Sequence, residues 1–153
     1  MDAFSSANTN TKTGGKGSYI SEGYWGSSYI RNMNSNIQIN LKRGFTVVGL
    51  DENANPIFLD SVDTCNAKNN NAFTGSDYFK KIIDDKSHLY GIFAIITNDT
   101  AVCGNFNLEP LFHGTGFTKW RKIKYGEPYI GLIMNDGNIT EYNGKKVIRL
   151  EIQ

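Results

Sequence analysis

The chain has 153 residues, enough for one domain with an appendage and large enough to bury a core without a metal or a disulfide. Its formal net charge is +1 with 20% charged residues, so no overall field draws it to nucleic acid or to an anionic membrane. No run approaches the roughly 18 apolar residues of a membrane helix, and residues 1–20 lack the apolar core of a secretory signal, so the expectation is cytoplasmic synthesis without secretion.

Residues 1–36 differ from everything after them. MDAFSSANTNTKTGG is mostly Ser, Thr, Asn and Gly, and such a segment buries too little apolar surface to offset an ordering cost of roughly 1–2 kcal/mol per residue. The following stretch, GSYISEGYWGSSYIRNM, sets Tyr19, Tyr24, Trp25 and Tyr29 among small residues. Tyr and Trp give large contact area with few rotors, which is why they dominate interface hot spots. The expectation is an N-terminal arm over residues 1–36, lying on its own domain or holding neighbouring chains through these four aromatics. A single β domain, residues 37–153, would follow it.

From Ile37 the pattern is regular. Ile37, Ile39 and Leu41 alternate with polar residues, which predicts a half-buried strand. Phe45–Leu50 and Ile57–Val62 flank a polar turn and predict a β-hairpin. Asp51, Asn53 and Asn55 imitate the start of a calcium loop, but Pro56 stands where that loop needs Gly and Val62 where it needs Glu, so no metal is expected there. After an exposed connection, Ser76 is placed to cap a short helix over Asp77–Asp85. Tyr78, Phe79, Ile82 and Ile83 give that helix one apolar face, which would cover an end or edge of the sheet. Leu89–Ile96 is an almost unbroken apolar run rich in β-branched residues, as in a central strand buried on both faces.

A strand is also expected over Ala101–Leu108, ended by Glu109-Pro110. The loop Leu111–Gly116 is the most site-like stretch, with His113 between aromatics and two glycines. Cys103, His113 and Glu109 have the chemistry of a thiol-enzyme set. No local signature of such a family accompanies them, so an ordinary loop histidine is the plainer expectation, and His88 reads similarly. FTKWRKIKY, residues 117–125, reads as a strand whose alternation puts Trp120, Lys122 and Lys124 on one face and Lys119, Arg121, Ile123 and Tyr125 on the other. Trp120, Arg121, Lys122 and Lys124 form a candidate binding surface with the basic and aromatic character of single-strand nucleic-acid sites, although lysines that blunt a sheet edge account for them more simply. Tyr129–Met134, a turn at Asn135–Asn138, Ile139–Tyr142, an Asn143-Gly144 hairpin turn and Lys145–Ile152 complete the pattern.

These elements predict a mainly β fold, an antiparallel sandwich or barrel of about seven to nine strands with one short helix and an extended arm. The functional expectation is a non-enzymatic structural subunit of a larger assembly, such as a capsid auxiliary or connector protein of a virion. It would contact other protein chains, copies of itself included, through the arm. Neither membrane nor nucleic acid is an expected partner, and no cofactor is expected. The alternatives are a ligand- or glycan-binding β module using Trp25 or Trp120, and a small enzyme using the His113 loop.

Overall fold

The computed structural model describes residues 2–6, 28–64, 77–98, 107–124, 127–144 and 147–151. The protein is mainly β. Its strands are β1 (Asp2–Ser6), β2 (Tyr29–Arg31), β3 (Gln38–Asn40), β4 (Gly44–Leu50), β5 (Pro56–Val62), β6 (Ile92–Asn98), β7 (Tyr129–Ile133), β8 (Ile139–Asn143) and β9 (Val147–Glu151). One short helix, α1 (Tyr78–Lys86), a single helical turn, α2 (Glu109–Phe112), and a 3₁₀ turn over Lys119–Lys122 complete the described elements.

Strands β5-β4-β6-β7-β8 form one antiparallel sheet in that order. A second antiparallel group runs β3-β2-β1-β9. The two meet where Ser6 pairs in parallel with Asn98. Among the described residues β5 and β8 have one partner strand each, so the first sheet is open and the barrel expectation is corrected.

The apolar run that predicted a central strand is β6, which lies between β4 and β7 and is buried from Phe93 onward. Leu89 is excluded from it and lies exposed in the turn after α1. Every residue of β4 is buried as well. Period-2 alternation in polarity vanishes in both strands because each face of the sheet is covered by a different layer. On one face Phe45, Val47, Ile95 and Tyr129 pack beneath Phe79 of α1, Leu111 and Phe112 of α2, and Phe117, Trp120 and Ile123. On the other, Val48, Leu50, Ala94, Ile96, Ile130 and Leu132 pack with Ile30, Leu41, Ile39 and Ile148. Helix α1 therefore covers a face of the sheet rather than an end or edge of it. The β4–β5 hairpin forms as the sequence predicts, with a register shift between Val47 and Val48. Gly44 opens β4 at φ 100°, and a Cβ there would stand 1.9 Å from the Val62 carbonyl oxygen, so only glycine fits.

Three expectations are corrected. Residues 119–122 form a 3₁₀ turn, not part of a strand. The buried residues around it, Phe117, Trp120 and Ile123, recur every third position, the 3₁₀ period, and the lysines between them face water. The Asn143-Gly144 pair does not return the chain beside β8, because β9 pairs with β1, from Asp2↔Glu151 to Ser6↔Val147. Asn143 instead donates its side-chain amide to the Lys119 carbonyl at 3.0 Å, and the Gly144 N–H reaches the Pro128 carbonyl. Finally, residue 36 does not mark the edge of the domain, since β1 and β2 lie within the supposed arm and both pair in the sheet. The strand expected over 101–108 falls largely outside the described residues, as do Ser76 and Cys103.

Candidate functional site

Two places gather the chemistry. The first is the end of β6. The Ser28 N–H donates to Asn98 Oδ1 at 2.8 Å, and Asn98 Nδ2 donates to the Leu41 carbonyl at 2.8 Å. Ser28 Oγ donates to the Thr97 carbonyl at 2.9 Å. Ser6 pairs with the same Asn98. The described residues on either side of 7–27, Ser6 and Ser28, therefore both attach to one buried asparagine, where the sequence suggested a free arm. Of the four aromatics expected to anchor partners, Tyr19, Tyr24 and Trp25 lie outside the described residues. Tyr29 does not serve in that way: it is 1% exposed in β2, between β1 and β3, and belongs to the core.

The second place is a groove of about 210 Å³ between α2, the His113 loop and the 3₁₀ turn. Its floor is Phe112, Phe117 and Trp120, and its rim carries Glu109, His113 and Arg121. Pro110 suits the first turn of a helix, where its missing N–H is not needed, and this is why Glu109-Pro110 starts α2 instead of ending a strand. Phe112 then reaches the centre of an aromatic cluster. Its ring centroid lies 5.3 Å from Phe45, 4.9 Å from Phe79 and 5.7 Å from Tyr129, all edge to face, and 5.0 Å from Trp120 in a near-parallel stack.

His113 follows α2 directly, and its backbone N–H donates to the Glu109 carbonyl at 2.9 Å. Its Nδ1 is hydrogen-bonded to the carboxylate of Asp77, at the start of α1. Asp77 has left-handed backbone geometry, φ 67°, and makes no side-chain cap to its own helix, so its carboxylate is turned to His113 instead. The hydrogen bond and then the charge of Asp77 raise the His113 pKa, against a slight opposing desolvation, and the Glu109 charge adds a smaller push in the same direction. On the opposite rim the Arg121 guanidinium lies 4.7 Å from the Trp120 ring centroid and 3.6 Å from Glu109.

The candidate surface Trp120, Arg121, Lys122 and Lys124 is divided by the 3₁₀ geometry. Trp120 is 6% exposed, stacked on Phe112, and donates Nε1–H to the Phe117 carbonyl at 2.8 Å, so it is no platform for a flat ligand. Arg121, Lys122 and Lys124 remain exposed. Glu109, His113, Trp120 and Arg121, which the sequence offered separately, meet at one groove. His88 lies apart in an exposed turn, and Cys103 lies outside the described residues.

Two contributors carried no sequence signal. Asp77 carries no local pattern that ties it to His113. Glu141 of β8 accepts the Thr118 and Lys119 N–H groups, at 2.9–3.0 Å, and the Tyr129 hydroxyl at 2.8 Å, which fastens the 3₁₀ turn to the sheet. Burial, then this bond, pushes the Tyr129 hydroxyl pKa up. At the β4–β5 turn Asp51 Oδ1 accepts the Asn53 and Asn55 N–H groups at 2.9 Å, the work of a turn. Among the described residues no three His, Cys, Asp or Glu side chains gather as a metal would need, and no helix is long and apolar enough to cross a membrane. Comparison with family models, curated proteins and solved structures returned no match.

Proposed function

We propose that this protein is a non-enzymatic interaction subunit of a larger assembly, and that residues 7–27 make its contacts with other chains, copies of itself included. The observation that carries the reading is that Ser6 and Ser28, which bound that segment, both attach to Asn98. Described strands that flank a connection carrying Tyr19, Tyr24 and Trp25 in its sequence suit the division of labour of a binding module, with the scaffold fixed and the contacts on the connection. The narrower setting, a capsid auxiliary or connector protein in a virion, rests on the sequence alone. We also read the two sheets as layers of a sandwich, since Ile30, Leu41, Ile39 and Ile148 pack over the face of β4, β6 and β7 turned away from the helices.

Removing residues 1–30 would take β1 and β2 out of the sheet, so it is the wrong test. The right variant keeps both strands and replaces residues 7–27 with a short Gly-Ser linker. With Trp120→Phe as background, the one remaining tryptophan of the native segment is Trp25. Sedimentation should show self-association of the parent that the linker variant loses while keeping its circular dichroism, and Trp25 emission should shift to the blue as the parent associates. A linker variant that associates as the parent does, or a parent that stays monomeric with unchanged Trp25 emission, overturns the reading.

A further inference from the structure

We propose that the groove at His113 binds a single neutral sugar ring, a site separate from residues 7–27. Four features argue for that class. At about 210 Å³ the groove falls below the roughly 300–1,000 Å³ of pockets for drug-sized ligands, so it suits one ring and not a chain of them. Its charged groups are of both signs, with Asp77 bonded to His113 and Glu109 3.6 Å from Arg121, so the rim is neither purely anionic nor purely cationic. That rim sets an acceptor, Glu109, near the Arg121 fork and carries the His113 ring as well. Adjacent sugar hydroxyls, each both donor and acceptor, match such a mixture where a simple carboxylate or ammonium would satisfy only half of it. The floor of Phe112, Phe117 and Trp120 gives the ring's C–H face an apolar bed without offering an open aromatic face for stacking.

The geometry also fixes how the site is held ready. Asp77 takes Nδ1 of His113, which leaves Nε2 as the ring's remaining polar atom. Arg121 is steadied over Trp120, and its contact with Glu109, at 3.6 Å, is longer than a direct hydrogen bond and leaves both groups able to reach a ligand. Hydrogen bonding at an exposed rim, without stacking, sets the expected affinity in the millimolar range.

The test is a titration of the full chain, followed by amide NMR, with glucose, galactose, mannose and N-acetylglucosamine, and with acetate and methylammonium as ionic probes. At least one sugar should shift the amides of His113, Gly114, Gly116, Thr118 and Arg121 with a millimolar Kd. Glu109→Gln and Arg121→Gln, both with side chains about half exposed, should each weaken binding about tenfold, the loss of roughly one hydrogen bond to a charged group. Spectra outside the groove report that each variant is folded. No shift with any of the sugars at concentrations well above the millimolar range overturns the proposal. So do sugar shifts that survive both substitutions, or acetate or methylammonium bound at these amides more tightly than every sugar.

Discussion

Ser28 is suspended from Asn98: its backbone N–H ends on the asparagine Oδ1 at 2.8 Å, across 70 positions of sequence, while the same side chain holds the Leu41 carbonyl. Asn98 is 6% exposed, so neither partner can turn to water instead. Asn98→Ala should therefore cost about 2–3 kcal/mol, because it strands a buried donor and a buried acceptor together. Urea unfolding should show a lower midpoint at unchanged slope, and hydrogen exchange at Ser28 should accelerate. A midpoint equal to the parent's would mean that the tie contributes nothing.

Phe112 is the ring on which the helical layer and the sheet converge. Replacing it with Ala should cost roughly 3–5 kcal/mol, the range for a buried Phe whose neighbours cannot collapse into the space. Phe45, Phe79 and Tyr129 would each lose an edge contact and Trp120 its stack at once. Thermal unfolding checks the size, and near-ultraviolet circular dichroism should report the loss of order around Trp120.

Thr46 sits fully buried on β4, and its hydroxyl has no hydrogen-bond partner among the described residues. Valine has nearly the same shape and no polar atom. Thr46→Val should thus stabilise the protein by about 1 kcal/mol, by removing an unmet desolvation cost. A lower melting temperature in this variant would show that the hydroxyl is in fact satisfied.

The His113–Asp77 bond gives stability a direction with pH. Asp77 raises the folded-state pKa of His113 above its ordinary 6.5. A group raised on folding contributes fully below its unfolded pKa, and the contribution disappears as pH climbs through the folded pKa. Melting temperature should accordingly fall from slightly acid to mildly alkaline pH, by a small amount because the imidazole is exposed. His113→Gln and Asp77→Asn should each flatten that dependence. A parent profile already flat over this window would remove the pair from the account.

Cutting away residues 150–153 removes the pairs Ala3↔Leu150 and Asp2↔Glu151 and should destabilise the protein severely. Deleting residues 2–6 should do the same, for it removes β1 from between β2 and β9. Matched thermal unfolding of the two truncations checks this. Full stability in either would show that β1 and β9 are dispensable.

What the sequence made legible was local. The β4–β5 hairpin, β6, β7 with its turn into β8, and α1 all announce themselves through runs, alternation and turn residues within a dozen positions. The misreadings have physical causes. Alternating basic and aromatic residues over 117–125 resemble a strand, and only the three-residue spacing of Phe117, Trp120 and Ile123 betrays the tighter turn. Asn143-Gly144 is a hairpin signal whose local preference is overruled by the pairing of β9 with β1. That pairing, like the meeting of Asp77 with His113, joins residues that no local pattern connects. His113 was identifiable as a candidate, but its partner and its groove depend on how α1 and α2 lie on one face of the sheet.

The pairing of Ala3 with Leu150 also sets an order of events in synthesis. β1 is translated long before β9 and has no antiparallel neighbour on its β9 side until the ribosome has delivered residues 147–151. Strands β4 to β8 can assemble among themselves in that interval, while β1 waits with one edge open as a template for other strands. Chaperone demand should therefore fall on β1 and end when β9 reaches it.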